Sequence, residues 1–230
     1  MFYHTGFPTT CRAFDDVVPS LTDRGARVFR PYLSGHGLTR FLSAATARSG
    51  QQAALGSDLL GLLDALDLDT VILCGYDWGD LSSCVVSALW PHRVAGLVTV
   101  AGYDIFNIDQ QRQPQRPGVE HAVWYQHLFQ TERGRSVLTS FRADLCRMLW
   151  TQWSPQWRIG WLNDPSSPCP RSPSTGRATP WKPGGTADHA SMFTGQHEHR
   201  VIDAGHALPY EAPAAFSDAI LTVHDWNRTS

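Results

Sequence analysis

The sequence predicts an α/β protein with a mostly parallel sheet. Three observations carry this. Residues 71–74 (VILC) form an uninterrupted apolar run of the kind that a strand covered on both faces requires. Leucines 55, 59, 62, 63 and 66 recur at helical spacing just before it. Strand-like and helix-like segments then alternate from residue 26 to residue 100.

The elements follow in chain order. Residues 26–32, centred on Val28 and Phe29, read as a short buried strand ending at Pro31 and leading into the loop LSGHG. Residues 52–66 are an amphipathic helix, and 71–74 are a strand. A turn bounded by Gly75 and Gly79 leads into a helix over 81–90, and residues 93–100 (RVAGLVTV) form the next strand. Past residue 100 the pattern changes to helices rich in aromatics. Trp124, Tyr125 and Phe129 share one segment. Trp150, Trp153, Trp157 and Trp161 stand three or four apart in another, which Pro155 must kink or end. Such a stripe packs a core or forms the underside of a cap over a pocket. Residues 163–187 hold six prolines and no Val, Ile, Leu, Phe or Met, so a loop without a core of its own is expected there. Residues 199–206 (HRVIDAGH) read as a short strand ending in a turn, and 214–223 as a closing helix.

Composition narrows the function. The chain has 230 residues, 42% of them hydrophobic, with 19 basic against 21 acidic side chains and a net charge of -2. A domain of this length buries about 70% of the surface its unfolded chain exposes, so no disulfide or metal staple is required. The charge balance gives no footprint for nucleic acid or an anionic membrane. There is no apolar stretch of spanning length, and the start MFYHTGFPTTCR has neither the basic nor the apolar region of a secretory signal. A cytoplasmic protein is expected. Its five cysteines are odd in number, with neither zinc-like nor redox spacing, so they read as reduced thiols, Cys74 and Cys84 packing as small hydrophobes.

The pentapeptide Gly75-Tyr76-Asp77-Trp78-Gly79 carries the most chemical information. It lies between a buried strand and a helix, with glycines two residues either side of an acidic residue. Two readings fit. One is a nucleophile elbow, a strained turn that lifts its central side chain above the sheet. The other is an aspartate capping the helix that follows.

GYDWG resembles the elbow of the α/β-hydrolase superfamily, in the branch with an aspartate nucleophile that includes epoxide hydrolases and haloalkane dehalogenases. HTGFP near the start resembles that branch's oxyanion-hole motif. AGH followed by LPYEAP resembles the segment bearing the catalytic histidine, and WYQHLFQ resembles the cap segment that bears a ring-opening tyrosine. The resemblance covers about residues 6–157 and 193–223. It implies an α/β-hydrolase fold, a mostly parallel sheet with flanking helices and a reduced helical cap. On that pattern residues 1–105 are the N-terminal part of the core, 106–162 the cap remnant, 163–187 the proline-rich loop, and 188–230 the rest of the core with the histidine. It further implies Asp77 as nucleophile, His206 as base, Tyr125 as ring-opening acid, and the backbone N–H groups of Trp78 and Phe7 as the oxyanion hole. The acid that orients the imidazole falls on Asp188, with Asp104 as the alternative. No metal or cofactor is implied.

The residue types fit together chemically. An aspartate is ionised near neutral pH and attacks an sp³ carbon without a base, giving an alkyl-enzyme ester. Water activated by an imidazole then hydrolyses that ester, with N–H donors for its oxyanion. An epoxide oxygen is a poor leaving group and calls for a phenol; a halide needs no proton.

Three departures accompany the resemblance. Thr5 stands within the oxyanion motif, Asp80 stands where a glycine usually follows the elbow, and the pattern's first strands and part of its cap have no counterpart, so an incomplete sheet is expected. Three functions therefore compete: a hydrolase of small apolar epoxides, a haloalkane dehalogenase using the same Asp77 and His206, and a catalytically inactive α/β-hydrolase scaffold.

Overall fold

The computed structural model describes residues 1–4, 11–100, 105–154 and 187–229. They divide between two compact units. The first (Met1–Ile105, Thr186–Arg200, Leu208–Ser230) holds β1 (Phe2–His4), α1 (Val18–Thr22), α2 (Gln52–Ala65), β2 (Val71–Gly75), α3 (Trp78–Leu89) and β3 (Val94–Val98). The second (Phe106–Gly185, Val201–Ala207) holds α4 (Ile108–Gln111), α5 (Pro117–Phe129), α6 (Glu132–Ser140) and α7 (Arg142–Trp153). The chain closes in the first unit with α8 (Leu208–Glu211) and α9 (Pro213–Thr229).

All five residues of β2 are buried, as the apolar run requires. The strand lies between β1 and β3 and is parallel to both, with Leu73 opposite Phe2 on one side and Leu97 on the other. Successive side chains of a strand point to opposite faces. Val71 and Leu73 join Leu59 and Leu63 of α2 and Val86 of α3 in one apolar cluster. Ile72 is paired with Gly96, and a Cβ built on Gly96 would stand 2.2 Å from Val223 Cγ1. α9 therefore lies against the opposite face from α2 and α3, and both faces of the sheet are covered by helix.

The end of α2 is fixed by its own backbone. Leu68 N–H donates to Leu63 O and Asp67 N–H to Asp64 O, both at 3.0 Å, while Asp67 adopts φ 53°. This is a Schellman closure with aspartate in the left-handed position that glycine usually fills. Arg93 then ties that corner to the start of β3. Its guanidinium donates to Asp64 Oδ1 at 2.7 Å and to the carbonyls of Leu68 and Asp69 at 2.8 Å each.

Two strand expectations are corrected. The run at residues 26–32 keeps only a bridge at Phe29, whose N–H donates to Met1 O at 3.0 Å, although its ring still packs against the core cluster. Residues 199–206 contain no strand. In place of a ladder, Arg200 holds the start of that segment on α9, donating to Asp218 Oδ2 at 2.7 Å, Thr222 Oγ1 at 2.8 Å and Glu198 Oε1 at 2.7 Å. The expected proline-rich loop lies outside the described residues, apart from Ala187, which opens a short 3-10 helix, Ala187–Met192. Cys74 and Cys84 are fully buried and form no disulfide. No described helix is long and apolar enough to cross a membrane.

Gly96→Ala should destabilise the first unit by about 1–3 kcal/mol, because the β-branched Val223 cannot swing out of the way. Gly61→Ala is the matched control. It lies exposed in α2 with nothing within 4 Å of an added Cβ and should stabilise by about 0.5–1 kcal/mol. Urea unfolding midpoints of the two variants should move in opposite directions.

The Arg200 guanidinium holds the Glu198 carboxyl below its ordinary range, chiefly by direct hydrogen bonding. A carboxylate whose pKa is depressed in the folded state contributes stability above its unfolded pKa, and that contribution is lost as pH falls through the folded value. Arg200→Gln should therefore show a smaller drop in Tm than the parent protein between neutral pH and about pH 3, read by a pH series of thermal melts.

Candidate active site

The turn after β2 is shaped by crowding of its own backbone. A Cβ on Gly75 would lie 2.7 Å from Asp80 N and from Gly79 C and O, so any side chain there collides with main chain that cannot move aside. The chain reverses into α3 at Asp77, whose φ of 56° and ψ of -131° are costly for a residue with a Cβ. Such conformations persist only where the surroundings over-determine them. Here Tyr76 supplies one anchor. It is 1% exposed, its ring meets Phe14 edge-on at 6.0 Å, and Phe14 in turn meets Phe216 of α9 at 5.9 Å. The first turn of α3 supplies another, where Ser82 Oγ and Ser83 Oγ both donate to Gly79 O at 2.9 Å.

Asp77 occupies the N-cap position of α3, yet its carboxylate caps no helix N–H. The capping alternative is therefore removed, and the half-buried side chain sits on the strained turn at the start of α3. Trp78 is the first residue of α3, and the first N–H groups of any helix lack intrahelical acceptors. Asp80 is completely buried, with the Cys84 thiol 3.7 Å from its Oδ1 one turn along the helix. An aspartate in place of glycine is thus accommodated inside the first unit rather than at its surface.

The second unit gathers three other side chains. Tyr125, on α5, is 7% exposed, and its hydroxyl accepts from Gln126 Nε2 at 3.3 Å. Its ring lies 4.9 Å from that of Trp153, the last residue of α7, at an interplanar angle of 62°. The same indole meets the His206 ring at 5.8 Å and 66°. Trp153 thus stands between the predicted phenol and the predicted base. α5 and α7 are held together by Gln152, whose Oε1 accepts from Trp124 Nε1 at 3.1 Å and whose Nε2 donates to His121 O at 3.2 Å. α6 is started by Thr131, whose hydroxyl accepts from Gly134 N at 3.0 Å.

His206 is placed by backbone bonding rather than by a strand. Its N–H donates to Trp153 O at 2.8 Å, and the next N–H, that of Ala207, donates to Ser154 Oγ at 3.2 Å. Asp77 belongs to the first unit, and Tyr125 and His206 belong to the second. Asp188 lies on the 3-10 helix of the first unit, Ala187–Met192, with its carboxylate outside the described part of the structure. Phe7, Asp104, Trp157 and Trp161 also lie outside it. Trp153 belongs to the aromatic stripe that the sequence marks as core packing or as the underside of a cap. The sequence reading does not single out Ser154, whose one signal is a polar residue between Trp153 of that stripe and Pro155.

Comparison with known proteins agrees with this architecture. Residues 1–149 match the family model of the alpha/beta hydrolase fold. The crystal structure of a candidate epoxide hydrolase from Klebsiella pneumoniae superposes with a TM-score of 0.84 at 30% identity, over 97% of this chain and 89% of that one. Epoxide hydrolase 2 of Siraitia grosvenorii is 32% identical over 101 residues, which is 44% of this chain and 31% of that protein. An epoxide hydrolase of Caballeronia sordidicola is 31% identical over 93 residues, 40% of this chain and 27% of that protein. The matches thus span about a third of the length of these curated relatives. A parallel sheet covered on both faces, a strained aspartate elbow between β2 and α3, and the matching family model lead to one assignment: the chain belongs to the α/β-hydrolase fold family, and is similar to its epoxide hydrolases.

Proposed function

We propose that the chain hydrolyses small apolar epoxides to diols through an ester on Asp77. The observation that carries this reading is Asp77 itself, an ionisable side chain on a strained elbow that does not cap the helix it precedes. The aromatic company of Tyr125, Trp153 and Phe129 supports an apolar substrate.

The chemistry proceeds in two steps. An Asp77 carboxylate oxygen attacks an epoxide carbon, the C–O bond of the ring breaks, and the departing oxygen takes the Tyr125 phenolic proton. An ester and a phenolate result. His206 then takes a proton from water as the resulting hydroxide adds to the ester carbonyl, the N–H groups of Trp78 and Phe7 being the assigned donors for the oxyanion. Collapse expels the diol and regenerates the Asp77 carboxylate, and the proton gained by His206 returns to Tyr125. One epoxide and one water give one diol. Asp188, or Asp104 in its place, would hold the imidazole in the productive tautomer.

The test is diol formation from styrene oxide. Asp77→Asn should abolish it. His206→Gln should accumulate the ester, visible in the intact mass, with turnover reduced at least about a hundredfold. Tyr125→Phe should slow ester formation by about 10²–10⁴-fold on epoxides while leaving reaction with a chloroalkane, whose leaving group needs no proton, unaffected. Halide release from a chloroalkane without diol from styrene oxide would replace this reading with a dehalogenase. A cooperatively melting protein with neither product nor ester would make the chain an inactive scaffold.

A further inference from the structure

We propose that Ser154 is a positioning residue for His206, holding the histidine segment on the C-terminal end of α7 so that the imidazole stands ready for ester hydrolysis. The inference rests on His206 acting as the base in that step.

The end of α7 is set by sequence. Pro155 disfavours helical backbone at the residue before it, and Ser154 leaves the helix with φ -133° and ψ 63°, its own N–H donating to Trp150 O at 2.8 Å. The last carbonyls of a helix have no intrahelical donor. That of Trp153 accepts the His206 N–H at 2.8 Å. Ser154, 1% exposed, then accepts the N–H of Ala207, itself 2% exposed, at 3.2 Å. Two consecutive N–H groups are thus bound by two consecutive residues. Attachment at two points fixes the direction of the chain as well as its position, leaving the imidazole only its side-chain torsions. Those are narrowed by the Trp153 ring, 5.8 Å away at 66°. No strand contributes to holding this segment, since residues 199–206 contain none.

The two chemical steps differ in what they ask of this clamp. Ester formation by Asp77 requires no base, whereas ester hydrolysis requires the imidazole at hydrogen-bond distance from a water. A displaced His206 therefore slows the second step alone, and a misplacement of about 1 Å can cost about a hundredfold. A merely structural defect lowers both steps together.

The experiment is a single-turnover reaction of the full chain with styrene oxide, following ester formation and decay by quenched intact mass. Ser154→Ala should form ester at the parent rate and hydrolyse it about 10- to 100-fold more slowly. Ser154→Cys keeps the volume but offers only a weak sulfur acceptor, and should behave in the same way. Parent-like hydrolysis in either variant, equal slowing of both steps, or loss of a cooperative melt in both would overturn the proposal. A parent protein that forms neither ester nor diol would instead overturn the roles of Asp77 and His206, a result distinct from all of these.

Discussion

Close approach of the backbone at the end of β2 governs the first unit. Gly75 has no room for a Cβ because the main chain of Gly79 and Asp80 returns across it, and that return is possible only if Asp77 accepts a positive φ. A strained residue of this kind costs on the order of 1–3 kcal/mol, so the parts around it must supply more than that by refusing to relax. β2 does so because it is buried along its whole length between two parallel neighbours. Tyr76 does so by reaching through Phe14 to Phe216, which links the elbow to the far end of the sequence. The core is thus a condition for the position of one carboxylate as much as for stability.

The second unit meets a different requirement. Its described helices are short, and they are tied by specific polar links: the Thr131 cap, the Gln152 bridge between α5 and α7, and the bonds from His206 and Ala207 to the end of α7. Each such bond is worth about 0.5–1.5 kcal/mol net, but a buried N–H deprived of its acceptor costs about 1–3 kcal/mol, which makes loss of the partner more serious than the bond's own strength suggests. Ser154 carries that asymmetry, since the Ala207 N–H it satisfies is buried.

Parts of this were legible in the sequence and parts were not, for physical reasons. β2, α2 and α3 were readable because an unbroken apolar run and a leucine spacing report burial locally. The elbow was readable because glycine at positions 75 and 79 signals crowding before any partner is known. The run at residues 26–32 had the composition of a strand, but a strand needs a ladder, and the run keeps only the bridge at Phe29, whose N–H donates to Met1 O. Residues 199–206 failed similarly: β-rich composition measures how a segment would fit a half-buried sheet, and Arg200 instead fastens its start to α9. Helix α9 runs through Thr229, beyond the expected 214–223, because its last turns have little apolar periodicity to announce them. The Ser154 contact bridges residues 53 apart in the chain, a separation that no local pattern encodes.

The same contrast bears on how the proposed chemistry is divided. A nucleophile must meet carbon along a narrow line of approach, so its carboxylate is best carried by a turn that the core over-determines. A base that takes a proton from water and later gives it up must instead keep some freedom at its ring while its backbone stays fixed. His206 has its backbone fixed in that way, with its N–H bound to Trp153 O and the following N–H bound to Ser154 Oγ, while the Trp153 indole meets the imidazole edge-on. Trp153 is suited to that place because an indole offers a broad apolar surface to both a phenol and an imidazole, restricting each ring without a directional bond to either. In the proposed mechanism, Trp153 and Ser154 would take no part in the bond changes and would act by holding Tyr125 and His206 in place.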